Sequence, residues 1–432
     1  MTKIQAVRGM NDILPTETPY WQHFENTVSN LLNSYQYQEI RLPILEKSEL
    51  FHRGVGGTSD IVEKESYDFA DRNGDMLTLR PEGTAGCVRA AIQNGMLRDQ
   101  TQKLWYKGPM FRHERPQKGR YRQFYQLGVE IYGISNIAIE AELLALSWRL
   151  WQQLGLDKHV QLEINNLGTS ENREAYKAEL VKYLEPIKDQ LDEDSQRRLY
   201  KNPLRILDSK SPNTQALLKD APILSDYVDE EITAQFKSLC AHLEALNIPL
   251  NINPYLVRGL DYYSHTVFEW TTDLLGAQGT ICAGGRYDIL IEQLGGPSTP
   301  AVGFAMGIER ILLLMESVKS FPAVETSPQV YIISAGDAAL WHALQLAETL
   351  RNTLPHIKVE NNTQGGSFKS QFKKADKSGA QLAIIIGENE LEQGVYNLKY
   401  LQGDKEPETI QAERLEETLR LYFHKTPINK SF

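Results

Sequence analysis

The run Phe111-Arg112-His113-Glu114-Arg115-Pro116-Gln117-Lys118-Gly119-Arg120 sets a proline, a glycine and charged residues between two segments rich in aromatic and β-branched side chains. Residues 104–114 and 120–133 therefore read as two strands joined by the polar turn Arg115-Pro116-Gln117-Lys118-Gly119, an antiparallel hairpin. Side chains on the second strand alternate faces. Arg120, Arg122, Gln126, Gly128 and Glu130 share one side, and Tyr125, Leu127, Val129 and Ile131 share the other. The first face is polar, and Gly128 leaves an open place between an amide and a carboxylate, which suits a small polar ligand. A solvated antiparallel face gives the same pattern.

A second arginine-bearing segment, Gly303-Phe304-Ala305-Met306-Gly307-Ile308-Glu309-Arg310, lies far along the chain. Arg112 and Arg310 each put a fixed cation beside polar or glycine-rich backbone, and together they point to a nucleoside triphosphate. The planar guanidinium stays charged and matches phosphate oxygens in pairs, while Gly303 and Gly307 let a flat ligand approach the main chain. A surface ion pair is the ordinary alternative for either arginine alone. The chain has neither a Gly-x-x-x-x-Gly-Lys phosphate loop nor a Gly-x-Gly-x-x-Gly fingerprint, so the nucleotide fold must be of another kind.

Three more segments carry polar chemistry. Leu79-Arg80-Pro81-Glu82-Gly83-Thr84 ends a strand with a carboxylate and a hydroxyl, where Thr84 is expected to cap the following helix. Leu256-Val257-Arg258-Gly259-Leu260-Asp261-Tyr262-Tyr263 brings an arginine and two tyrosines into one short turn, and Gly284-Gly285-Arg286-Tyr287-Asp288 follows. The tyrosines also fit core aromatics with a wet hydroxyl, and the glycines an ordinary turn.

At 432 residues the chain exceeds the size at which one core stops growing, so two or three domains are expected. Hydrophobic content of 41% and charged content of 24% exclude disorder, collagen and coiled coil. A net charge of -10 means that any nucleic acid must meet a local basic patch. Lys369, Lys373 and Lys377, with Lys374 beside them, recur at helical spacing and form such a stripe, although a solvated helix face looks the same. Cys87, Cys240 and Cys282 stand alone, without the spacing of a zinc site or disulfide framework, which suits a reducing cytoplasm. No apolar run reaches membrane-span length, and residues 1–12 lack the apolar core of a targeting signal.

Helical patterning is expected over 139–154, ending at Gly155. Residues 170–229 turn charged and helical, punctuated by Pro186, Pro203, Pro212 and Pro222, and read as an insertion. Strand signals return over 251–270, 276–286 and 302–306, before a helix over 309–317, and these late strands are expected to rejoin the first sheet. Residues 318–328 read as a linker. Beyond it, strands at 329–334, 357–360 and 381–386 alternate with helices at 338–352 and 367–378, a separate α/β domain with a mostly parallel sheet.

Taken in order, these segments resemble the bacterial type of histidyl-tRNA synthetase over essentially the whole chain. Pro43, in Arg41-Leu42-Pro43-Ile44-Leu45-Glu46, is similar to the dimer-forming motif 1 of class II synthetases, residues 111–130 to motif 2, residues 303–310 to motif 3, and residues 258–263 with 284–288 to two histidine-specific signatures. The resemblance implies an α+β class II core, an antiparallel sheet flanked by helices, over 1–169 and 230–317. It also implies a helical insertion at 170–229 and a C-terminal anticodon-binding α/β domain at 329–432. It implies a cytoplasmic homodimer with no membrane association that activates L-histidine with ATP and magnesium, then passes it to the end of its cognate tRNA.

By position in those motifs, Arg112 and Arg258 would be catalytic, Arg112 on the α-phosphate and Arg258 on the histidine carboxylate and α-phosphate. Arg310 would hold the γ-phosphate side of ATP, with Glu114, Arg120 and Tyr287 as further ATP ligands. Glu82, Gly83, Thr84 and Gln126 would hold the α-ammonium group, and Glu130, Tyr262 and Tyr263 the imidazole. The lysine stripe 369, 373 and 377 would meet tRNA, and no protein ligand is assigned to the metal. The rival reading is the synthetase-like regulatory subunit of ATP phosphoribosyltransferase. A regulatory subunit typically lacks or degrades a domain like the one after Pro328, and it has no need of an intact Arg112, Arg258 and Arg310.

Overall fold

Gln102–Phe111 and Gln123–Tyr132 pair antiparallel as the hairpin, with Tyr106 opposite Gly128 and Leu104 opposite Glu130. The computed structural model describes residues 3–56, 61–98, 100–260, 262–323 and 326–425. The chain divides into two compact units, Met1–Pro322 and Ala323–Phe432. In the first unit the hairpin sits within an eight-stranded sheet. Its order is Gln38–Glu39, Gln102–Phe111, Gln123–Tyr132, Ala301–Gly307, Thr280–Arg286, Ser264–Thr271, Gln161–Asn166 and Leu250–Ile252. Every neighbouring pair is antiparallel except the two outermost, so the late strands do rejoin the hairpin.

The alternation read from the second hairpin strand decides which sheet face is dry. Leu127, Val129 and Ile131 enter a core with Phe24, Leu143, Leu150, Trp151, Leu239 and Leu314, contributed by helices Thr18–Ser34, Ala138–Gln153, Glu230–Ala245 and Ile308–Val318. Each such aliphatic side chain contributes about 1.5–3 kcal/mol on full burial, enough to fix the strand's register, because a one-residue slip would expose the whole row. Polar and small residues are thereby left on the opposite face.

Between 170 and 227 the described chain forms helices joined by short turns and no strand, as expected, and prolines stand in the first turn of three of them at Pro186, Pro203 and Pro212. Tyr176, Leu180, Leu199 and Ile206 share one apolar cluster with Tyr106, Tyr262 and Tyr287, so these helices lie on the polar face of the sheet. The strand Gln161–Asn166 and the helix Glu230–Ala245 went unread in the sequence, as did the small sheet that joins Leu45–Lys47, Met76–Leu79 and Tyr67–Ala70, while the strand signal expected over 251–270 is split into Leu250–Ile252 and Ser264–Thr271.

The second unit carries five strands in the order Val359–Asn361, Val330–Ser334, Leu382–Ile386, Val395–Tyr400 and Glu408–Gln411. The expectation of a mostly parallel sheet needs correction. The first three strands run parallel, but the last two add antiparallel. Gly394, at φ 64°, takes the left-handed conformation that ends the short helix Glu388–Gln393 and turns the chain straight back along its neighbour. Helix Phe368–Ser378 is capped by Ser367 and ended by Gly379. It buries Gln371 and Ala375 and leaves Lys369, Lys373 and Lys377 exposed.

Candidate active site

One cavity of about 190 Å³ opens on the polar face of the eight-stranded sheet, and its walls include Glu82, Thr84, Arg112, Glu114, Arg120, Gln126, Arg258, Tyr262, Tyr263 and Arg310. Segments spread over most of the first unit thus converge. Ala283 and Ala305, which stand in register with Gly128 across neighbouring strands, form a low floor between the walls.

Arg112 ends the first hairpin strand. Its Nε donates to the Pro81 carbonyl at 2.9 Å, and its guanidinium lies over the Phe124 ring at 5.2 Å, so one edge is anchored while the other faces the cavity. Arg120, across the turn, pairs with Glu114 and stands 3.6 Å from Glu65. Arg310 is held on three sides. Nε donates to the Gly119 carbonyl at 3.1 Å, Nη1 to the Thr280 carbonyl at 2.8 Å and Nη2 to Gln278 at 2.7 Å. Beside it Glu309 accepts the Tyr125 amide with both oxygens, at 2.9 and 3.0 Å, while burial pushes its carboxyl up to about 7.

At the other end Glu82, not Thr84, caps helix Thr84–Gln93. Its carboxylate accepts from the amides of Thr84 at 2.6 Å and Ala85 at 2.9 Å. The expected cap is corrected because the Thr84 hydroxyl is drawn the other way, to Glu130 at 2.8 Å. Burial raises the Glu82 carboxyl above its usual range, against those two amides. Gln126 Oε1 and Arg258 Nε are buried on the cavity walls, and among the described residues neither has a hydrogen-bond partner. Arg258 is otherwise engaged, in an ion pair with Glu269 and 5.7 Å above the Tyr263 ring. Asp261, within the same signature, lies outside the described residues.

Three further expectations change at this site. Gly128 does not leave an open place, because a Cβ there would stand 2.2 Å from the Tyr106 ring, and one at Gly83 would stand 2.1 Å from it. Tyr106 fills both gaps and donates to Glu130 at 3.1 Å. Gly303 likewise makes room for the Glu130 carboxylate rather than a flat ligand, since a Cβ there would meet Oε2 at 2.1 Å. Tyr287, expected among the ATP ligands, is buried and not among the residues that line the cavity; its hydroxyl bonds Glu130 and its ring packs with Tyr262 and Tyr263.

Glu130 is only 1% exposed and sits one layer beneath the cavity wall. Burial pushes its carboxyl up to about 8, although three hydroxyls bond it. The reading of the sequence missed Tyr106, Phe124, Glu269, Thr280 and the support from Glu309. Phe124 was findable, since it occupies an even position on the face already marked as polar.

Comparison with known proteins bears on what this arrangement is. A family model described as Histidyl-tRNA synthetase matches residues 9–311, and one described as Anticodon binding domain matches residues 329–421. The chain is similar to the apo histidyl-tRNA synthetase of S. aureus, at 38% identity and TM-score 0.81, over 96% of this chain and 99% of that one. It also matches the histidyl-tRNA synthetase of a Nostoc species, at 19% identity and TM-score 0.69, over 98% of this chain and 100% of that one. A Bacillus halodurans structure described as an ATP phosphoribosyltransferase regulatory subunit/histidyl-tRNA synthetase matches at 21% identity and TM-score 0.64, over 90% of this chain and 98% of that one. The last two likenesses speak for the fold alone. Two family models in the expected order and a relative matched end to end agree with the converging arginines: the chain belongs to the histidyl-tRNA synthetase family, the class II ligases that join histidine to tRNA.

Proposed function

We propose that this cavity joins histidine to ATP and then delivers the histidyl group to the terminal ribose of its tRNA. In the first step a histidine carboxylate oxygen bonds to the α-phosphorus, the bond to the β-phosphate bridge breaks, and pyrophosphate leaves. In the second a ribose hydroxyl displaces AMP from the histidyl carbonyl. Neither step needs a nucleophilic side chain.

The observation that carries the reading is the convergence on one cavity of Glu82, Gln126, Arg112 and Arg258, the Gln126 Oε1 being buried with no partner among the described residues. An acceptor and a carboxylate suit the α-ammonium group, and two guanidinium groups suit the carboxylate and α-phosphate. As negative charge grows on the equatorial phosphate oxygens, Arg112 and Arg258 stabilise it from positions already fixed by Pro81, Phe124, Glu269 and Tyr263. Arg310, with Glu114 and Arg120 near it, holds the outer phosphates. Thr84 and the Gly83 backbone complete the ammonium end, and Tyr262 and Tyr263 wall the imidazole. Glu130 joins the histidine set as the group that orients the Thr84 and Tyr287 hydroxyls.

Among the described residues no cluster of three or more His, Cys, Asp or Glu forms a metal cage. Magnesium would therefore arrive with the ATP phosphates and help to offset their charge, and we assign it no protein ligand. We assign residues 1–169 and 230–317 to the catalytic core, 170–229 to the insertion, 318–328 to the linker and 329–432 to tRNA recognition. Within the last, Lys369, Lys373 and Lys377 contact RNA phosphates. The outermost part of that assignment, 426–432, and residues 324 and 325 of the linker lie outside the described residues.

A homodimer is supported by Ile44, Leu45, Phe69 and Met76, all more than 40% exposed around the small three-stranded sheet next to Pro43. A cytoplasmic setting is supported by three free, buried cysteines, and no helix among the described residues is long and apolar enough to cross a membrane. The regulatory-subunit reading has less support, because Arg112, Arg258 and Arg310 all face one cavity and residues 329–421 match an anticodon-binding model. Histidine-dependent exchange of labelled pyrophosphate into ATP by the purified full-length protein tests the assignment. Exchange with histidine alone among the standard amino acids is expected, and a folded protein that supports none would overturn it.

A further inference from the structure

We infer that Glu269 is a positioning residue for the reaction: it aims the Arg258 guanidinium into the cavity and, through Thr280, ties it to Arg310 at the opposite end. The inference rests on the reading of Arg258 as the arginine that meets the histidine carboxylate and α-phosphate.

Glu269 lies in strand Ser264–Thr271, directly opposite Ala283 of the cavity floor, and so on the face that carries the site. Each of its oxygens has a separate task. Oε1 takes Arg258 Nη1, and Oε2 accepts the Thr280 hydroxyl at 2.8 Å. The Thr280 carbonyl in turn accepts Arg310 Nη1 at 2.8 Å. A single chain of bonds, Arg258 to Glu269 to Thr280 to Arg310, therefore links the arginine at the histidine end with the arginine at the outer-phosphate end.

A carboxylate in an anion-binding site works against ligand charge, so its presence needs a reason. Arg258 provides one. A long guanidinium side chain has many rotamers, and one that must search for its position supplies little stabilisation at the moment charge develops. The pair is well shielded, with side-chain exposures of 16% and 17%. With Nη1 held by Glu269 and the plane resting on Tyr263, the guanidinium is fixed in place on the cavity wall. Glu163, across the next strand from Glu269, does not compete for this role, because it accepts Asn253 at 2.7 Å.

The test uses the full-length protein and single-turnover adenylate formation at high enzyme concentration, so that slow variants stay measurable. Glu269→Gln keeps the size and an acceptor for Thr280 but removes the charge that orders Arg258. It is expected to lower the rate roughly 10- to 100-fold while the ATP concentration for half-saturation moves less than about 3-fold and the melting temperature stays near the parent's. Thr280→Val, which removes only the hydroxyl, should cost roughly 3- to 10-fold, and it carries the test by itself if Glu269→Gln does not fold. In an Arg258→Met background, Glu269→Gln should cost less than about 3-fold more, since the two act as a unit.

Three results overturn the inference: a Glu269→Gln rate within about 2-fold of the parent, losses that multiply in the double variant, or tighter histidine binding with an unchanged rate. The last would make the carboxylate a competitor for Arg258. If Arg258→Met itself forms adenylate at the parental rate, the reading of Arg258 fails and this inference with it. If Arg258→Met is slow and both Glu269→Gln and Thr280→Val are not, only the inference falls.

Discussion

The Thr84 hydroxyl donates to Glu130 at 2.8 Å, which joins the first turn of helix Thr84–Gln93 to the hairpin near its open end. Tyr106 and Tyr287 bond the same carboxyl group. Replacing Glu130 by Ala releases all three hydroxyls at once, although Glu130 itself lies beneath the cavity wall. The expected outcome is a loss of roughly 2–4 kcal/mol in transition-state binding, read from kcat/KM for histidine in pyrophosphate exchange. Unchanged histidine activation would remove Glu130 from the site.

Gly128→Ala puts a methyl group where the Tyr106 ring now lies, 2.2 Å from the would-be Cβ. Both residues sit in paired strands and cannot separate without disturbing the ladder. Destabilisation of about 1–3 kcal/mol is expected from such overpacking, measured by denaturant unfolding. The Tyr106→Ala background should relieve most of the clash. A Gly128→Ala protein as stable as the parent would show that Tyr106 has room to move.

Glu309 gives the first unit a pH-dependent stability. Its folded carboxyl is raised from the ordinary 4.5 to about 7, by burial first. Between those values the folded chain keeps a proton that the unfolded chain has released. The contribution is therefore complete below about 4.5 and is lost as pH rises through about 7, at up to about 1.4 kcal/mol per pH unit. Glu309→Gln should flatten this part of the profile in unfolding titrations at pH 5, 6 and 7. The slope that remains is shared by the other raised carboxyls, Glu65, Glu82 and Glu130, and is opposed by His23 and His265, whose burial lowers them. Identical slopes for parent and variant would sink the assignment.

Every proposed ligand of histidine and ATP, from Glu82 to Arg310, precedes residue 318, whereas the exposed lysines of helix Phe368–Ser378 follow it. Changing Lys369, Lys373 and Lys377 together to Ala should leave pyrophosphate exchange intact. The KM for tRNA should rise and its salt dependence weaken, as loss of phosphate contacts does. Equal tRNA charging at all salt concentrations would assign that helix face to solvent.

What could be read in advance followed from how local the cause was. Arg112, Arg258 and Arg310 were legible because each falls in a short segment that also carries polar or glycine-rich backbone. The hairpin was legible because alternation and turn chemistry are properties of neighbouring residues. Tyr106 was not, since the space it fills is made by Gly83 and Gly128, which meet only across the folded sheet. Glu269 looks like one charge in a strand otherwise set with Val267, Phe268 and Trp270, and nothing in that strand names Arg258 as its partner. Residues 161–166 gave too few positions for a period to show, and their pairing comes from strands distant in sequence.

The three thiols make a built-in reporter of opening. Cys87, Cys240 and Cys282 belong respectively to a helix over the site, a helix under the sheet and a central strand, and each is buried. Burial raises all three thiols above their usual range, Cys240 to about 11, so the reactive thiolate is scarce even where reagent arrives. Alkylation of the native chain is then gated by transient exposure, and residue-resolved rates separate local fraying from loss of the whole fold. With no cysteine beyond residue 282, the same reagent stays silent about everything after residue 322. Mass spectra taken over time thus follow the breathing of the first unit alone, without a label having been introduced.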